Sequence, residues 1–241
     1  MSEKIALITG STKGIGRDIG ISLLKRNYKV YFNYANDYIS AENLRKVLRL
    51  NHFKKFEIIK ADLSCYAELE NITKKIKTLD VLILNAGITD RSSFKDITLW
   101  NWNQVMNVNL TNQFFLIQQL KDRINPKGRI IFTSSILAEN PHSKSIVYAV
   151  SKASVNALVK NLVKYFADKE ITVNAVAPGF VETNWHKSKT QKQKEKIQKQ
   201  IALKRFATVS EISKTMLNII DNDYINGQII RVCGGYNYGE V

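Results

Sequence analysis

A tyrosine and a lysine stand one helical turn apart in Tyr148-Ala-Val-Ser-Lys152, and Ser135 lies thirteen residues before the tyrosine. Reduction of a ketone needs hydride on the carbonyl carbon and a proton on the oxygen. A free tyrosine, with a pKa of about 10, is a poor partner at neutral pH, but an ammonium group one turn away favours the phenolate and lowers that pKa. Ser135 could hydrogen-bond the oxygen as negative charge develops. The set predicts a site in which Tyr148 is the general acid in reduction and the base in reverse.

The spacing of this pair carries little weight alone, because chance predicts about one such pair in a chain with this many tyrosines and lysines. Tyr165 and Lys169 repeat the spacing, but the residue thirteen positions before Tyr165 is Lys152, within a predicted helix. Ser135, in contrast, directly follows a predicted strand. Ligands of parallel sheets bind beyond the carboxyl ends of the strands, so the sequence favours Tyr148 over Tyr165.

A glycine-rich turn, Thr9-Gly10-Ser11-Thr12-Lys13-Gly14-Ile15-Gly16, follows the first apolar strand and leads into a helix. Glycines there permit a sharp turn and keep side chains away from a pyrophosphate, which the free N–H groups of the helix N-terminus then bind. A plain tight turn is the alternative, which the strand–turn–helix context disfavours. The turn predicts a dinucleotide cofactor.

The second strand indicates which dinucleotide is preferred. Enzymes that use NAD usually place an acidic residue at its end to bind the ribose hydroxyls, yet residues 33–36 read Asn-Tyr-Ala-Asn, with no acid until Asp37. Lys13 could meet a 2′-phosphate from inside the glycine turn. These residues favour NADP(H), although the absence of an arginine after the strand leaves NAD open.

Apolar runs alternate with helical periodicity along the chain, which predicts a single α/β domain over 1–241, a Rossmann-type, doubly wound parallel sheet with helices on both faces. Helical spacing covers about 99–123, 147–168 and 209–220, after shorter helices in the first half. The predicted strands are 5–8, 30–33, 56–60, 79–84, 128–132, 171–176 and 227–232.

Composition excludes several classes. No apolar segment approaches the roughly 18 residues of a membrane span, and the start is not that of a signal peptide, so we expect a cytoplasmic protein that contacts no membrane. Cys65 and Cys233 belong to no paired motif, and His52, His142 and His186 share no spacing, so we expect no metal site. The net charge of +15, concentrated in the lysine-rich segment 187–205, favours an acidic partner or a solvated helix.

The chain resembles the short-chain dehydrogenases/reductases nearly end to end. The Thr9–Gly16 turn is similar to that family's Thr-Gly-x-x-x-Gly-x-Gly motif, and Ser135, Tyr148 and Lys152 match its catalytic residues. Asn109 matches the helical asparagine that helps hold its proton relay. By this resemblance Ser135 and Tyr148 also contact the substrate. The cofactor-binding residues that it implies are Gly10, Thr12, Lys13, Gly14, Ile15, Gly16, Asp62, Leu63, Asn85, Ala86, Gly87, Tyr148, Lys152, Pro178, Gly179, Val181 and Thr183.

Within the family the chain is most similar to bacterial 3-oxoacyl-[acyl-carrier-protein] reductases, notably in residues 171–183 and 224–235. This resemblance implies reduction of a 3-oxoacyl group on acyl carrier protein, with NADPH, by a homotetramer that associates through its two long helices and last strand. It also implies that bases beside the mouth of the cleft dock the acidic carrier, and Lys127, Arg129 and Lys169 fall in comparable places.

Three functions remain open from the sequence. Leu84 replaces the first residue of the usual Asn-Asn-Ala-Gly, and Ala202–Ala207 departs from Pro-Leu-x-Arg-Phe-Gly, so a specialised acyl-chain pathway fits as well as housekeeping fatty-acid synthesis. The second function is oxidation or reduction of a free alcohol, ketone, sugar or steroid. The third is a nucleic-acid-binding or regulatory protein, which the filled catalytic positions and the lack of a recognition motif disfavour. Pro141 and His142, between Ser135 and Tyr148, are expected to border the substrate.

Overall fold

Seven parallel strands form one sheet in the order β3-β2-β1-β4-β5-β6-β7. The computed structural model describes residues 3–140, 145–187 and 189–239. The order places β1 and β4 side by side, so the chain reverses its direction of winding there and opens a crevice beyond their carboxyl ends. The strands are β1 (Ile5–Ile8), β2 (Lys29–Tyr34), β3 (Phe56–Lys60), β4 (Leu79–Leu84), β5 (Ile124–Thr133), β6 (Thr172–Pro178) and β7 (Ile229–Val232).

Helices cover both faces of the sheet, and this explains why its central strands are apolar throughout rather than alternating. All seven residues of β6 are buried. One face packs against α3, α5 and α6, and the other against α1, α2 and α8. The helices are α1 (Gly14–Lys25), α2 (Tyr38–Leu50), α3 (Leu69–Thr73), α4 (Leu99–Met106), α5 (Asn112–Leu120), α6 (Ile146–Phe166), α7 (Gln191–Gln200) and α8 (Val209–Asp221).

The predicted fold class is confirmed, and the strand positions agree closely with the sequence. The main difference lies in the helix predicted over 99–123, which is interrupted by a π-helical turn at Asn107–Thr111. Such a turn inserts an extra residue between successive hydrogen-bonded positions, and these insertions occur often at functional sites. α6 ends at Phe166 rather than 168, and a short 3₁₀ turn follows it.

Two further features of the described residues bear on function. None of their helices is long and apolar enough to cross a membrane, and they contain no group of three or more histidine, cysteine or acidic side chains that could hold a metal ion. Cys65 and Cys233 are both free thiols.

Candidate active site

The glycine turn after β1 is shaped by two positive φ angles. Gly10 has φ +59°, and a Cβ atom there would lie 2.8 Å from Ala86 Cα, so only glycine allows this approach to the segment after β4. Asn85 fixes the same contact, because its side-chain amide donates to the carbonyl oxygens of Thr9 and Gly10 at 3.1 and 2.9 Å. Thr9 in return accepts from the backbone of Asn85 and Ala86. The crevice floor is therefore held by hydrogen bonds between two strand ends.

The N-terminus of α1 is open to a ligand. Lys13 precedes the helix without capping it through its side chain, which leaves the first N–H groups available for an anion. A Cβ atom at Gly14 would project toward Thr183 and reach its methyl carbon at 3.6 Å. The residues present suit a dinucleotide, because Gly14 carries no side chain at the uncapped start of the helix and Thr183 lies close beside it.

The adenosine end of the crevice is formed by residues after β2 and β3. The carboxylate of Asp62 accepts from Asn36 at 3.2 Å and from the Ser64 amide at 2.8 Å. Lys13 Nζ lies 2.7 Å from Asp37 Oδ2 in an exposed ion pair. Hydrogen bonds from Lys13, and then from Ser40, lower the pKa of Asp37 to about 2. The lysine predicted to meet a 2′-phosphate is thus already beside a carboxylate.

Ser135, Tyr148 and Lys152 come together at the carboxyl end of β5, as the sequence predicts. The Ser135 hydroxyl accepts from the Leu137 amide at 3.2 Å, and it lies close enough to Tyr148 to oppose the effect of burial on the tyrosine pKa. Lys152 Nζ donates to the carbonyl oxygen of Thr133 at 2.7 Å and lies 5.7 Å from the centre of the Tyr148 ring. An oxygen atom placed beside Tyr148 and Ser135 would meet two hydroxyl donors.

Burial controls the ionisation of this pair. It raises the pKa of Tyr148 to about 12, against a smaller lowering by the hydrogen bond with Ser135. Burial also lowers the pKa of Lys152 to about 8. The pKa of Tyr148 is therefore raised, and not lowered as the sequence predicts, because desolvation of the phenolate is the largest effect. Tyr148 is protonated at neutral pH, which is the form that a proton donor needs.

Asn109 lies in the π-helical turn and is fully buried. Its side-chain amide donates to the Ile88 carbonyl and to the Ser151 hydroxyl, both at 2.9 Å, and its oxygen accepts from the Ile88 amide at 2.9 Å. A Cβ atom at Gly87 would lie 3.4 Å from Asn109 Oδ1 and 3.6 Å from Lys152 Nζ. The asparagine thereby links the segment after β4 to the catalytic helix.

The other predicted cofactor residues line the same edge of the sheet. Pro178 ends β6, and a Cβ atom at Gly179 would lie 2.9 Å from Cys233 Cα. Val181 forms an isolated bridge with Ala207. Thr12, Ile15, Gly16 and Leu63 are buried or half-buried in this edge.

Trp185 lies beside the site although the sequence did not predict it there. It follows Thr183 in the segment before α7, and its ring lies 5.8 Å from the ring of Tyr148. Arg91, after β4, donates to the Trp185 carbonyl oxygen at 3.1 Å. This contact joins two segments on opposite sides of the crevice, so Trp185 forms part of the wall beside the reacting tyrosine. No motif spacing signals it.

The three bases predicted beside the mouth of the cleft lie elsewhere in the chain. Lys127 and Arg129 are at the amino-terminal end of β5, and Lys169 precedes β6, so all three lie at the sheet edge opposite Ser135. Arg129 is only 6% exposed and pairs with Asp223, so it is not available to a partner. Within one chain the strand direction therefore separates these residues from Ser135, and their role in docking stays a prediction. Pro141 and His142 lie outside the described residues.

Fold and site together define an oxidoreductase with a nicotinamide dinucleotide crevice. Residues 10–237 match the family model described as enoyl-(acyl carrier protein) reductase, and the chain belongs to the short-chain dehydrogenase/reductase family.

Relatives support this assignment over almost the whole chain. The chain is 33% identical to the 3-oxoacyl-[acyl-carrier-protein] reductase FabG of Buchnera aphidicola, with 97% of each sequence covered. Among solved structures, a short-chain dehydrogenase/reductase from Serratia marcescens is 27% identical, with a TM-score of 0.91 over 97% of this chain and 98% of that one. A short-chain dehydrogenase from Burkholderia cenocepacia, solved in complex with NADP, is 25% identical, with a TM-score of 0.90 over 96% of this chain and 97% of that one.

Proposed function

We propose that the protein reduces a 3-oxoacyl group carried on acyl carrier protein to the 3-hydroxyacyl form, with NADPH as reductant. The observation that supports this most directly is the cluster of Ser135, Tyr148 and Lys152 at the end of β5. The named activity of the Buchnera relative supports the substrate class. Fatty-acid synthesis and a specialised acyl-chain pathway both use this reaction.

The chain's own contribution to the reaction is proton transfer and charge stabilisation. A nicotinamide dinucleotide held by the glycine turn after β1 and by Thr183 would supply the hydride for the carbonyl carbon. Tyr148 donates its hydroxyl proton to the carbonyl oxygen, which becomes the new alcohol, and Ser135 stabilises the developing negative charge by a hydrogen bond. The positive charge of Lys152 then stabilises the phenolate that remains.

The regeneration of Tyr148 requires a proton from solvent. Lys152, with a pKa near 8, can exchange a proton close to neutral pH. Asn109 holds the turn beside Lys152 and orders the neighbouring Ser151. In this proposal Asn109 is a positioning residue for the path by which the tyrosine is reprotonated.

The proposed preference for NADPH depends on Lys13. This lysine belongs to the glycine turn and reaches Asp37, which follows β2. Its exposed ion pair with Asp37 is worth little in water, at about 0–1 kcal/mol, so a 2′-phosphate can displace the carboxylate. Replacing Asp37 with asparagine should strengthen NADPH binding several-fold and leave NADH binding nearly unchanged. Fluorescence titration of both nucleotides measures this, and Lys13→Met should weaken NADPH binding alone.

We also propose the homotetramer that the resemblance implies. α5 and α6 present a groove of about 430 Å³ on their outer faces, lined by Leu110, Thr111, Phe114, Ser154, Ala157, Leu158 and Asn161. Small residues at its centre permit the close approach of another helix pair. Ala157→Glu should therefore lower the mass measured by light scattering, whereas Lys160→Glu on an exposed face should not.

Steady-state oxidation of NADPH tests the activity. The wild-type protein should reduce acetoacetyl-carrier protein and acetoacetyl-N-acetylcysteamine, and the reduced product should be the 3-hydroxyacyl thioester by mass spectrometry. Efficient turnover of free cyclic ketones or sugars, with none of either thioester, would instead support the small-molecule alternative.

A further inference from the structure

Helix α7 (Gln191–Gln200) carries an unusual stripe of positive charge. Lys192, Lys196 and Lys199 recur at i, i+4 and i+7, so they share one face of the helix, and all three are exposed. Like charges at this spacing destabilise a helix by about 0.2–0.5 kcal/mol per pair. The one acidic residue of the helix, Glu195, accepts a hydrogen bond from Gln191. Among the described residues, no carboxylate pairs with the three lysines.

Hydrophobic burial does not explain this helix either. It contains no buried residue, and a capping box of Thr190 with Gln193 fixes its start. Its end is held by Ile201, which is buried and forms an isolated bridge with Tyr236. α7 is thus fastened at both ends, and its outer face is left to solvent. The helix is therefore anchored by contacts at its ends, and the three lysines of the stripe form no ion pair within the described residues.

Both ends of α7 lead to the rim of the active site. Before the helix, Trp185 packs beside the Tyr148 ring. After it, the Gln200 carbonyl oxygen accepts from the Asn237 amide at 3.0 Å, and the Asn237 side chain donates to Asn140 at 2.7 Å. Asn140 belongs to the segment between Ser135 and Tyr148. The segments at both ends of α7 are therefore in contact with residues that flank Tyr148.

The opposite edge of the sheet is a poorer candidate for the same role. Lys127 lies 3.9 Å from Glu170, and Lys169 lies 3.8 Å from Asp122, so both face acids of the same chain. A partner docked beside Lys127 would be separated from Ser135 by about eight residues along β5, at about 3.3 Å per residue. In a single chain, α7 combines unpaired charge with closeness to the site.

We propose that the α7 stripe of Lys192, Lys196 and Lys199 docks the acidic protein that carries the substrate, so that the acyl group enters beside Trp185. This inference rests on the proposed function and specifies where its carrier binds. Complementary charge raises the association rate and orients the partner, and it weakens as salt concentration rises. An acidic carrier is attracted to the three lysines, whereas the binding of a neutral free substrate does not depend on them.

The test compares two variants with the same change of charge. Lys192→Glu/Lys196→Glu should raise KM for acetoacetyl-carrier protein at least about tenfold and change KM for the neutral N-acetylcysteamine thioester less than about twofold. Lys127→Glu/Lys169→Glu is the matched comparison and should leave both values within about twofold. The dependence of carrier KM on salt should also weaken in the α7 variant alone.

Binding without turnover completes the test. Fluorescence anisotropy of labelled carrier protein should show binding to the wild type and to Lys127→Glu/Lys169→Glu, and much weaker binding to the α7 variant. Unchanged carrier affinity in the α7 variant, or loss only in the comparison variant, would overturn the inference. So would loss of RNA binding in the α7 variant with carrier affinity intact. Failure of the wild type to reduce either thioester would overturn the proposed function instead, whatever the binding result.

Discussion

The two ends of α6 carry the same pair of residue types in different surroundings. At the amino-terminal end, Lys152 is 2% exposed, and Tyr148 lies beside Ser135. At the carboxyl-terminal end, Tyr165 is 62% exposed and contacts the edge of the Phe166 ring. Lys169 lies beyond the helix, near Asp122. One pair is desolvated at the ligand edge of the sheet, and the other is hydrated at the opposite edge.

The difference indicates which of the two pairs is placed for the proposed proton transfer. Desolvation shifts the pKa of Tyr148 upward and that of Lys152 downward. The reactive pair also has a hydroxyl donor and a crevice in reach. Both pairs have the same sequence spacing. They differ in which edge of the sheet their end of α6 lies at.

The strongest test of this comparison replaces each tyrosine. Tyr148→Phe should lower kcat for reduction by about 10²–10⁴, because it removes the proton donor but keeps the ring. Tyr165→Phe should keep kcat within about twofold. Both are measured by NADPH oxidation at saturating thioester, and equal losses in the two variants would show that the helix ends do not differ as described.

A second test concerns the serines before α6. Ser135→Ala should lower kcat by about 10²–10³ through loss of a donor to the developing oxyanion. The adjacent Ser134 is buried, and its hydroxyl bonds Asn156. Ser134→Ala should instead cost about 1 kcal/mol of unfolding free energy and have a smaller effect on kcat. A larger loss of kcat in Ser134→Ala would reverse the assignment.

The pH dependence of reduction follows from Lys152. Its pKa of about 8 means that the ammonium charge is lost as pH rises through that value. We expect kcat/KM to fall above about pH 8, and the fall to shift to higher pH in Lys152→Arg, because a guanidinium stays charged beyond about pH 12. Lys169→Arg should leave the profile unchanged. A wild-type profile that is flat to pH 9.5 (about 1.5 units above that pKa, enough to discharge most of the lysine) would contradict the role of this charge.

The smallest expected effect is on stability. Lys152 is protonated below about pH 10.5 in the unfolded chain but only below about pH 8 in the folded protein. The buried lysine therefore lowers the unfolding free energy at low pH, and this cost disappears as the pH rises from about 8 to about 10.5. Lys152→Met should therefore raise the unfolding free energy at pH 7 by about 1–2 kcal/mol, after loss of the bond to Thr133. The gain should disappear before pH 10.5, because the cost of burial is then nearly gone and the loss of the bond to Thr133 remains. Lys169→Met, at an exposed site, should change stability by less than about 0.5 kcal/mol at either pH.

The sequence predicted the sheet well because its strands are buried on both faces and read as continuous apolar runs. It predicted the grouping of Gly14, Asn85 and Ser135 because parallel strands end at a common edge. The features that it missed depend on contacts between distant segments. Trp185 contacts Tyr148 across the crevice, and Asp37 forms an ion pair with Lys13. Neither contact is indicated by a sequence pattern around these residues.

The direction of the Tyr148 pKa shift could not be read from spacing for a related reason. A lysine one turn away predicts a lowered pKa only where both groups keep their hydration. Arg129 shows the same limit, because a base that looks exposed in the sequence is buried beside Ile220 and Asp223. Burial is a property of the assembled fold.

The π-helical turn at Asn107–Thr111 also constrains any recombination of this chain with its relatives. Each residue of an α-helix advances the helix by about 100°, so removing the extra residue would rotate everything after it by about that angle. Asn109 would leave the crevice, and Phe114 would leave the outer groove, in a single step. A chimera that exchanges α5 without α4 therefore risks losing the active site and the outer surface together, and a viable exchange would take residues 99–120 as one block.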